Sequence, residues 1–229
     1  MSFVTSRRFA RGLRSTAIAL CVLALVAAPV TVLAAPGDPD LGFGEGGHVN
    51  TDFMGHLDVA YAVAAQSDGK IVAGGFASKQ ANDPSIDFGL VRYDTNGLLD
   101  DGFGTGGRVL TDFAANIDEI RSIAIQPDGK IVAVGYADLP GTLFDFAVAR
   151  YNTDGTPDTG FGNGGKVTLD IGGNDDFGEA VAILPGGAIL VGGLAFTSTG
   201  EDFALARFTP DGRLDVSFGA GGTVTTDFF

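Results

Sequence analysis

The sequence predicts an all-β chain made of one repeated unit. The motif Phe-Gly-x-x-Gly begins at Phe43, Phe103, Phe161 and Phe218, in steps of 60, 58 and 57 residues. A fixed period of this size marks an array of equivalent supersecondary units. After residue 36 no segment keeps a 3.6-residue apolar period over helical length. Instead, short apolar runs alternate with Gly, Asp, Asn and Pro, the pattern of strands and turns.

Each unit carries four such runs. The units span about 43–102, 103–160 and 161–217, with a partial fourth at 218–229. In the second unit the runs predict strands near 107–113, 118–126, 130–138 and 144–151. Gln126-Pro127-Asp128-Gly129 predicts a tight hairpin turn: Pro presets φ, Asp tolerates the next position and Gly takes the positive φ. Gln66-Ser67-Asp68-Gly69 repeats it. Leu184-Pro185-Gly186-Gly187 keeps the geometry without the carboxylate, so the Asp of this turn reads as structural.

The run Lys130–Tyr136 is apolar almost throughout, which marks a strand covered on both faces. Four-stranded units with covered central strands suit stacked propeller blades. The expected architecture is therefore a β-propeller-like array of three four-stranded antiparallel blades plus one extra C-terminal strand, in an open arc. Propellers typically close with four to eight blades. Two copies forming a six-bladed ring are the alternative, in which the last strand would compete with the partner's segment 47–53.

The succession D-G-x-x-D-x-x-F-G-x-x-G, a strand, Q-P-D-G-K and D-F-x-x-x-R-[YF] resembles the bacterial delta-60 repeat family, a β-propeller-like domain of unknown function. The resemblance covers nearly all of residues 36–229. It implies a fold and no reaction. The third unit departs from it with Pro-Gly-Gly in place of Asp-Gly-Lys.

Residues 1–35 read as a secretory signal peptide: Arg7, Arg8, Arg11 and Arg14, then an apolar run ending Val32-Leu33-Ala34-Ala35. Cleavage after Ala34 or Ala35 is expected; the alternative is an uncleaved anchor. Phe9 sits one place early for a twin-arginine signal. Cys21 follows Leu20, where lipidation wants a small residue. The expected location is secreted, periplasmic or envelope-associated. Cleavage removes the only Cys, so stability must come from burial and strand pairing. It also leaves 10 basic against 28 acidic residues, a net charge of −18. Such a surface disfavours nucleic acid and anionic membranes and favours solubility or cation binding.

Several constellations imitate sites. Gly162-x-Gly164-Gly165-Lys166 lacks the Ser/Thr and the helix of a phosphate loop. Asp94-x-Asn96-Gly97, Asn152-x-Asp154-Gly155 and Thr209-x-Asp211-Gly212 resemble the start of a calcium loop without its closing Glu, and read as turns. Arg92, Arg150 and Arg207 are expected to fork bidentately onto Asp100, Asp158 and Asp215 and staple one blade to the next. Asp87, Asp145 and Asp202 open the fourth strand of their units.

The mature chain has His48 and His56 and no Cys, too few ligands for a zinc site and no nucleophile constellation. Both His read as surface residues. The acid pairs Asp100–Asp101 and Asp175–Asp176 read as solvated linker residues rather than glycosidase carboxylates. Phe53 and Phe113, and Phe88, Phe146 and Phe203, read as core layers. The sequence thus nominates no catalytic, cofactor-binding or metal-ligating residue and no cofactor. The expected role is a binding or scaffold module for a protein or cell-surface partner, with self-association through open blade edges. A propeller-type hydrolase or lyase using acidic loop residues is the alternative.

Overall fold

Three hairpin turns set the framework. Gly69 N–H donates to Gln66 O (2.9 Å), Gly129 to Gln126 O (2.9 Å) and Gly187 to Leu184 O (3.0 Å). Asp68 and Asp128 brace the first two by accepting from the Lys70 and Lys130 N–H groups (3.1 and 3.2 Å). The third forms without a carboxylate, as its sequence implies.

The structure is a computed structural model and describes residues 36–79, 85–113, 117–141, 143–198 and 200–228. The expected signal peptide lies outside these residues. The unit Asp38–Phe229 contains β1 (Asp58–Ala65), β2 (Ile71–Ser78), β3 (Ile86–Tyr93) and β4 (Arg108–Thr111) in the first sheet. The second sheet holds β5 (Asp118–Ile125), β6 (Ile131–Leu139), β7 (Leu143–Tyr151) and β8 (Lys166–Leu169). The third holds β9 (Asp176–Ile183), β10 (Ile189–Thr197), β11 (Gly200–Phe208) and β12 (Thr223–Thr226). Each sheet is an antiparallel meander in chain order. The fold is all-β, with three open four-stranded sheets, as expected.

The sheets are phased one strand later than the sequence repeat. The strand after each Phe-Gly-x-x-Gly motif pairs backwards: β4 with β3, β8 with β7, β12 with β11. The strand expected at 107–113 thus closes the first sheet rather than opening the second. The C-terminal strand is present as β12 and takes the fourth place in the third sheet. Asp87, Asp145 and Asp202 accordingly lie near the start of each sheet's third strand. The motif turn reverses the chain toward the strand it has just left, as in Phe103–Arg108, where Thr105 N–H donates to Arg108 O (2.9 Å).

β5 packs across the first sheet, and β9 across the second. Val72, Phe88, Leu90, Ile120, Ile131 and Tyr151 fill the first joint. Val132, Val134, Phe146, Val148, Ile189 and Val191 fill the second. β3 and β7 are buried along almost their whole length, and β6, which holds the unbroken apolar run, is buried through Ile131–Gly135, as that run requires. β11 instead alternates exposed and buried residues through Phe203–Arg207, because one face of the third sheet is uncovered.

Each inner strand carries a bulge at the same repeat position. The ladder skips Tyr61 in β1, Arg121 in β5 and Glu179 in β9. Opposite the bulge stand Gly75, Gly135 and Gly193. A Cβ on Gly135 would run into the Glu119 carbonyl oxygen, and Gly75 and Gly193 meet the Val59 and Phe177 carbonyls in the same way. Glycine is required here for close backbone approach.

Candidate functional site

The sheet-to-sheet joints hold most of the unusual polar chemistry. At each joint a Phe plugs the space beside the next exit turn. Phe103 and Phe161 are fully buried. They pack against Gly155 and Gly212, whose positive φ and tight ring contact leave no room for a side chain. The adjacent Gly104 and Gly162 N–H groups donate to Asp154 O and Asp211 O, each at 2.8 Å.

The expected Arg staples are present, with a different fork. Nε of Arg92, Arg150 and Arg207 lies 2.8 Å from Oδ2 of Asp100, Asp158 and Asp215. The contact is through one nitrogen. Nη1 is turned away to the next sheet's exit turn, donating to Thr153 O from Arg92 and to Pro210 O from Arg150. Dividing the fork lets one guanidinium hold its own sheet and its neighbour. Each also lies over the joint Phe: Arg92 4.5 Å from the Phe103 centroid, Arg150 4.6 Å from Phe161 and Arg207 4.7 Å from Phe218. Arg207 differs in sending Nη2 to Ser217 Oγ (3.1 Å).

Lys70 and Lys130 add a second cation to Asp100 and Asp158, at 2.7 and 2.9 Å. The Lys70 hydrogen bond, with the Gly102 N–H and Arg92, holds the Asp100 carboxyl below its usual range against some burial. Asp158 is lowered too: burial opposes this, but Lys130, the Gly160 N–H and Arg150 outweigh it.

A second constellation was not legible in the sequence. Asp87, Asp112 and Asp118 converge at the first joint, and Asp145, Asp170 and Asp176 at the second. Within each group one carboxylate oxygen per residue lies within 4.8 Å of the others. Asp118 Oδ2 accepts the Phe113 N–H (2.7 Å), and Asp176 Oδ2 accepts the Ile171 N–H. Burial pushes the Asp118 carboxyl up to about 7, opposed by the Phe113 N–H and assisted by Asp87 and Asp112. Burial likewise pushes Asp176 up to about 6, with Asp170 and Asp145 adding to it against the Ile171 and Gly172 N–H groups.

The third constellation is a row along the inner strands. A bulge re-aims the skipped side chain, and here the three skipped residues meet. The Arg121 guanidinium lies 4.6 Å from the Tyr61 ring centroid, and its Nε is 3.3 Å from Glu179 Oε2. Glu119 Oε2 is 3.5 Å from Nη1. Tyr136, Phe144 and Phe177 pack beside the row, with centroids 4.8–5.4 Å apart.

His48 and His56 are exposed. The acid pairs are not simply solvated: Asp176 is fully buried and Asp100 is half-buried in its ion pairs. The turn carboxylates serve their own turns, Asp94 Oδ1 accepting from Asn96 and Leu98 (2.8 and 2.9 Å) and Asp154 Oδ1 from Thr156 N–H (2.9 Å). Phe88 and Phe146 are core residues, but Phe203 is 68% exposed. A further sheet covers Phe88 and Phe146, whereas Phe203 has the Phe228 ring against it, at 5.2 Å between centroids.

Residues 66–103, 126–161 and 185–218 match a domain of unknown function (DUF5122) beta-propeller. The chain carries a β-propeller repeat. The three matched segments fall one in each unit, running from the hairpin turn to the joint Phe or its near neighbour. No curated protein matches the chain. Among solved structures, a fucose lectin from Kordia zhangzhouensis in complex with methyl-fucoside is 10% identical, with a TM-score of 0.41 over 73% of this chain and 97% of that one. A putative oxidoreductase (glucose dehydrogenase) from Thermus thermophilus is 15% identical, with a TM-score of 0.34 over 72% of this chain and 47% of that one. Both are distant likenesses.

Proposed function

We propose that this propeller-repeat chain is an exported, non-catalytic scaffold module of delta-60 type that assembles through its end sheets, with a second copy of itself as partner. One observation carries the reading. The face of the third sheet bearing Phe203, Leu205 and Arg207 is the repeat-equivalent of the faces that bury Phe88 and Leu90 against β5 and Phe146 and Val148 against β9. In the third sheet Phe203 is 68% and Leu205 37% exposed. Uncovered apolar surface of this kind marks an interaction site. The complementary face is the one with which the second and third sheets pack on their predecessors. The first sheet carries it too, with Val63, 71% exposed, in the place of Ile123 and Val181. Arg207 would then reach Thr95 of the partner's exit turn, as Arg150 reaches Pro210.

The segment 43–53 lies along that face of the first sheet. Gly44 N–H donates to Asn96 O (2.7 Å), and the Thr51 and Tyr93 hydroxyls are 2.6 Å apart. Association therefore exchanges this strap for β12 of the partner. The carboxylates raised by burial, Asp118 and Asp176, are themselves fully buried in the joints, which favours a scaffold over a hydrolase. Light scattering on the purified mature protein tests the proposal. The expected mass is that of two chains, falling to one when Phe203 and Leu205 are both replaced by Glu. A single-chain mass at every concentration overturns it.

A further inference from the structure

The two tri-aspartate clusters are built alike and differ in the cations that reach them: Lys166 Nζ donates to the Asp112 carbonyl oxygen beside the first (2.8 Å), and its repeat-equivalent beside the second is Thr223. Each takes one Asp from near the start of a third strand, one from just beyond a fourth strand, and one from the first position of the next sheet's inner strand. In the first joint an ammonium group enters the cluster. Lys79 Nζ lies 2.7 Å from Asp87 Oδ2 and 3.3 Å from Asp112 Oδ2. The repeat places Leu139 at the position of Lys79 in the second joint, so the same carboxylates meet there without the lysine.

Asp176 makes the second cluster more than a group of acids. It is fully buried, its Oδ2 accepts the Ile171 N–H, and its buried Oδ1, like that of Asp118 in the first cluster, has no hydrogen-bond partner. A buried acceptor left in this state costs the desolvation of the group. Asp145 beside it is 3% exposed. Asp170, on the solvent side, gives the cluster an entrance, and its Oδ1 accepts the Gly173 N–H. Carboxylates held this close in a low-dielectric joint repel strongly unless a positive charge intervenes. All the donors are hard oxygens, which suit Ca²⁺, Mg²⁺ or Mn²⁺ rather than softer metals. Ca²⁺ tolerates irregular geometry and takes backbone or water oxygens for its remaining positions, whereas Mg²⁺ demands a near-ideal octahedron.

We propose that Asp145, Asp170 and Asp176 bind a divalent cation, Ca²⁺, at the joint of the second and third sheets, in the place that the Lys79 ammonium takes at the first. The ion ties the inner strand of the third sheet to the far ends of β7 and β8. It completes by exchangeable charge what the first joint completes by a side chain.

Equilibrium dialysis of the purified mature protein against ⁴⁵Ca²⁺, paired with thermal melting, tests this. Wild type should retain about one ion per chain and melt about 2–4 °C higher in 10 mM CaCl₂ than in chelator. Asp170→Asn, at an exposed ligand, should lose both effects. Leu139→Lys supplies the internal cation of the first joint and should melt higher in chelator, with no calcium response. Asp154→Asn, in an Asp-rich turn, should keep the wild-type response. Absence of both the ion and the shift in wild type overturns the proposal, and so does a response that survives both Asp170→Asn and Leu139→Lys.

Discussion

Arg150 donates from Nη1 to the carbonyl oxygen of Pro210, which belongs to the next sheet. Its Nε meanwhile holds Asp158 at 2.8 Å. The side chain is 9% exposed, whereas that of Arg207 is 27% exposed and stays within its own sheet. Removing one partner of a buried pair leaves the other charge uncompensated. Arg150→Ala should therefore cost about 3–5 kcal/mol, softened by Lys130, which remains on Asp158. Arg207→Ala should cost about 1 kcal/mol or less. Urea titration of the two variants in the single-chain background, with Phe203 and Leu205 both replaced by Glu, checks the order, and equal costs there would dismiss the cross-sheet staple.

Gly135 and Gly192 lie in middle strands but answer to different neighbours. A Cβ at Gly135 meets the Glu119 carbonyl at the bulge, while one at Gly192 meets only the Leu205 side chain at 3.2 Å. Backbone cannot yield as a flexible side chain can. Gly135→Ala should destabilise by about 3 kcal/mol, toward the top of the usual range. Gly192→Ala should stay within about 1 kcal/mol of wild type. Melting curves of both variants decide it.

Asp118 gives a pH signature of unusual sign. Its folded carboxyl titrates at about 7, above its ordinary 3.8, so the folded state binds more protons than the unfolded state between these values. The contribution is fully present below about pH 4 and is lost as pH rises through about 7. Relative to wild type, Asp118→Asn should gain melting temperature as pH climbs from about 4 to about 8. A difference that stays flat with pH would show that Asp118 does not titrate in this window.

Lys79 has a linkage of the same sign, at higher pH. Its hydrogen bond to Asp87 raises the ammonium pKa above 10.5, against some desolvation. Its stabilisation is thus present below that value and is lost only as pH rises through the higher folded pKa. Lys79→Met leaves Asp87, 1% exposed, facing Asp112 and Asp118 without the ammonium. A melting temperature several degrees lower at about pH 7 is expected, with part of the loss recovered near about pH 4, where Asp118 carries its proton. Scanning calorimetry at the two pH values measures this.

Much of the fold is legible in the chain. The Phe-Gly-x-x-Gly beat counts the sheets, Gln126–Gly129 locates a hairpin, and the spacing of Arg150 and Asp158 indicates a staple. What the period cannot disclose is which neighbour a strand chooses. The segment 107–113 fits either sheet by composition, and only the reversal at Phe103–Arg108 sends it back to β3. The tri-aspartate clusters were hidden for the same reason: Asp145 and Asp170 flank one sheet, while Asp176 arrives with the next. Asp175-Asp176 looks solvated because adjacency in sequence says nothing about which of two neighbours turns inward. Phe203 carries the same local signal as Phe88, and its exposure depends on whether another sheet follows.

The backward pairing of β4, β8 and β12 carries a consequence for synthesis. A sheet cannot finish from its own three consecutive strands; its edge waits for the opening residues of the following repeat. During emergence from a ribosome or a translocation pore, every sheet would remain latched open until the next segment arrived and then snap shut behind it. The array would mature as a procession, each newcomer sealing its predecessor before exposing an edge of its own.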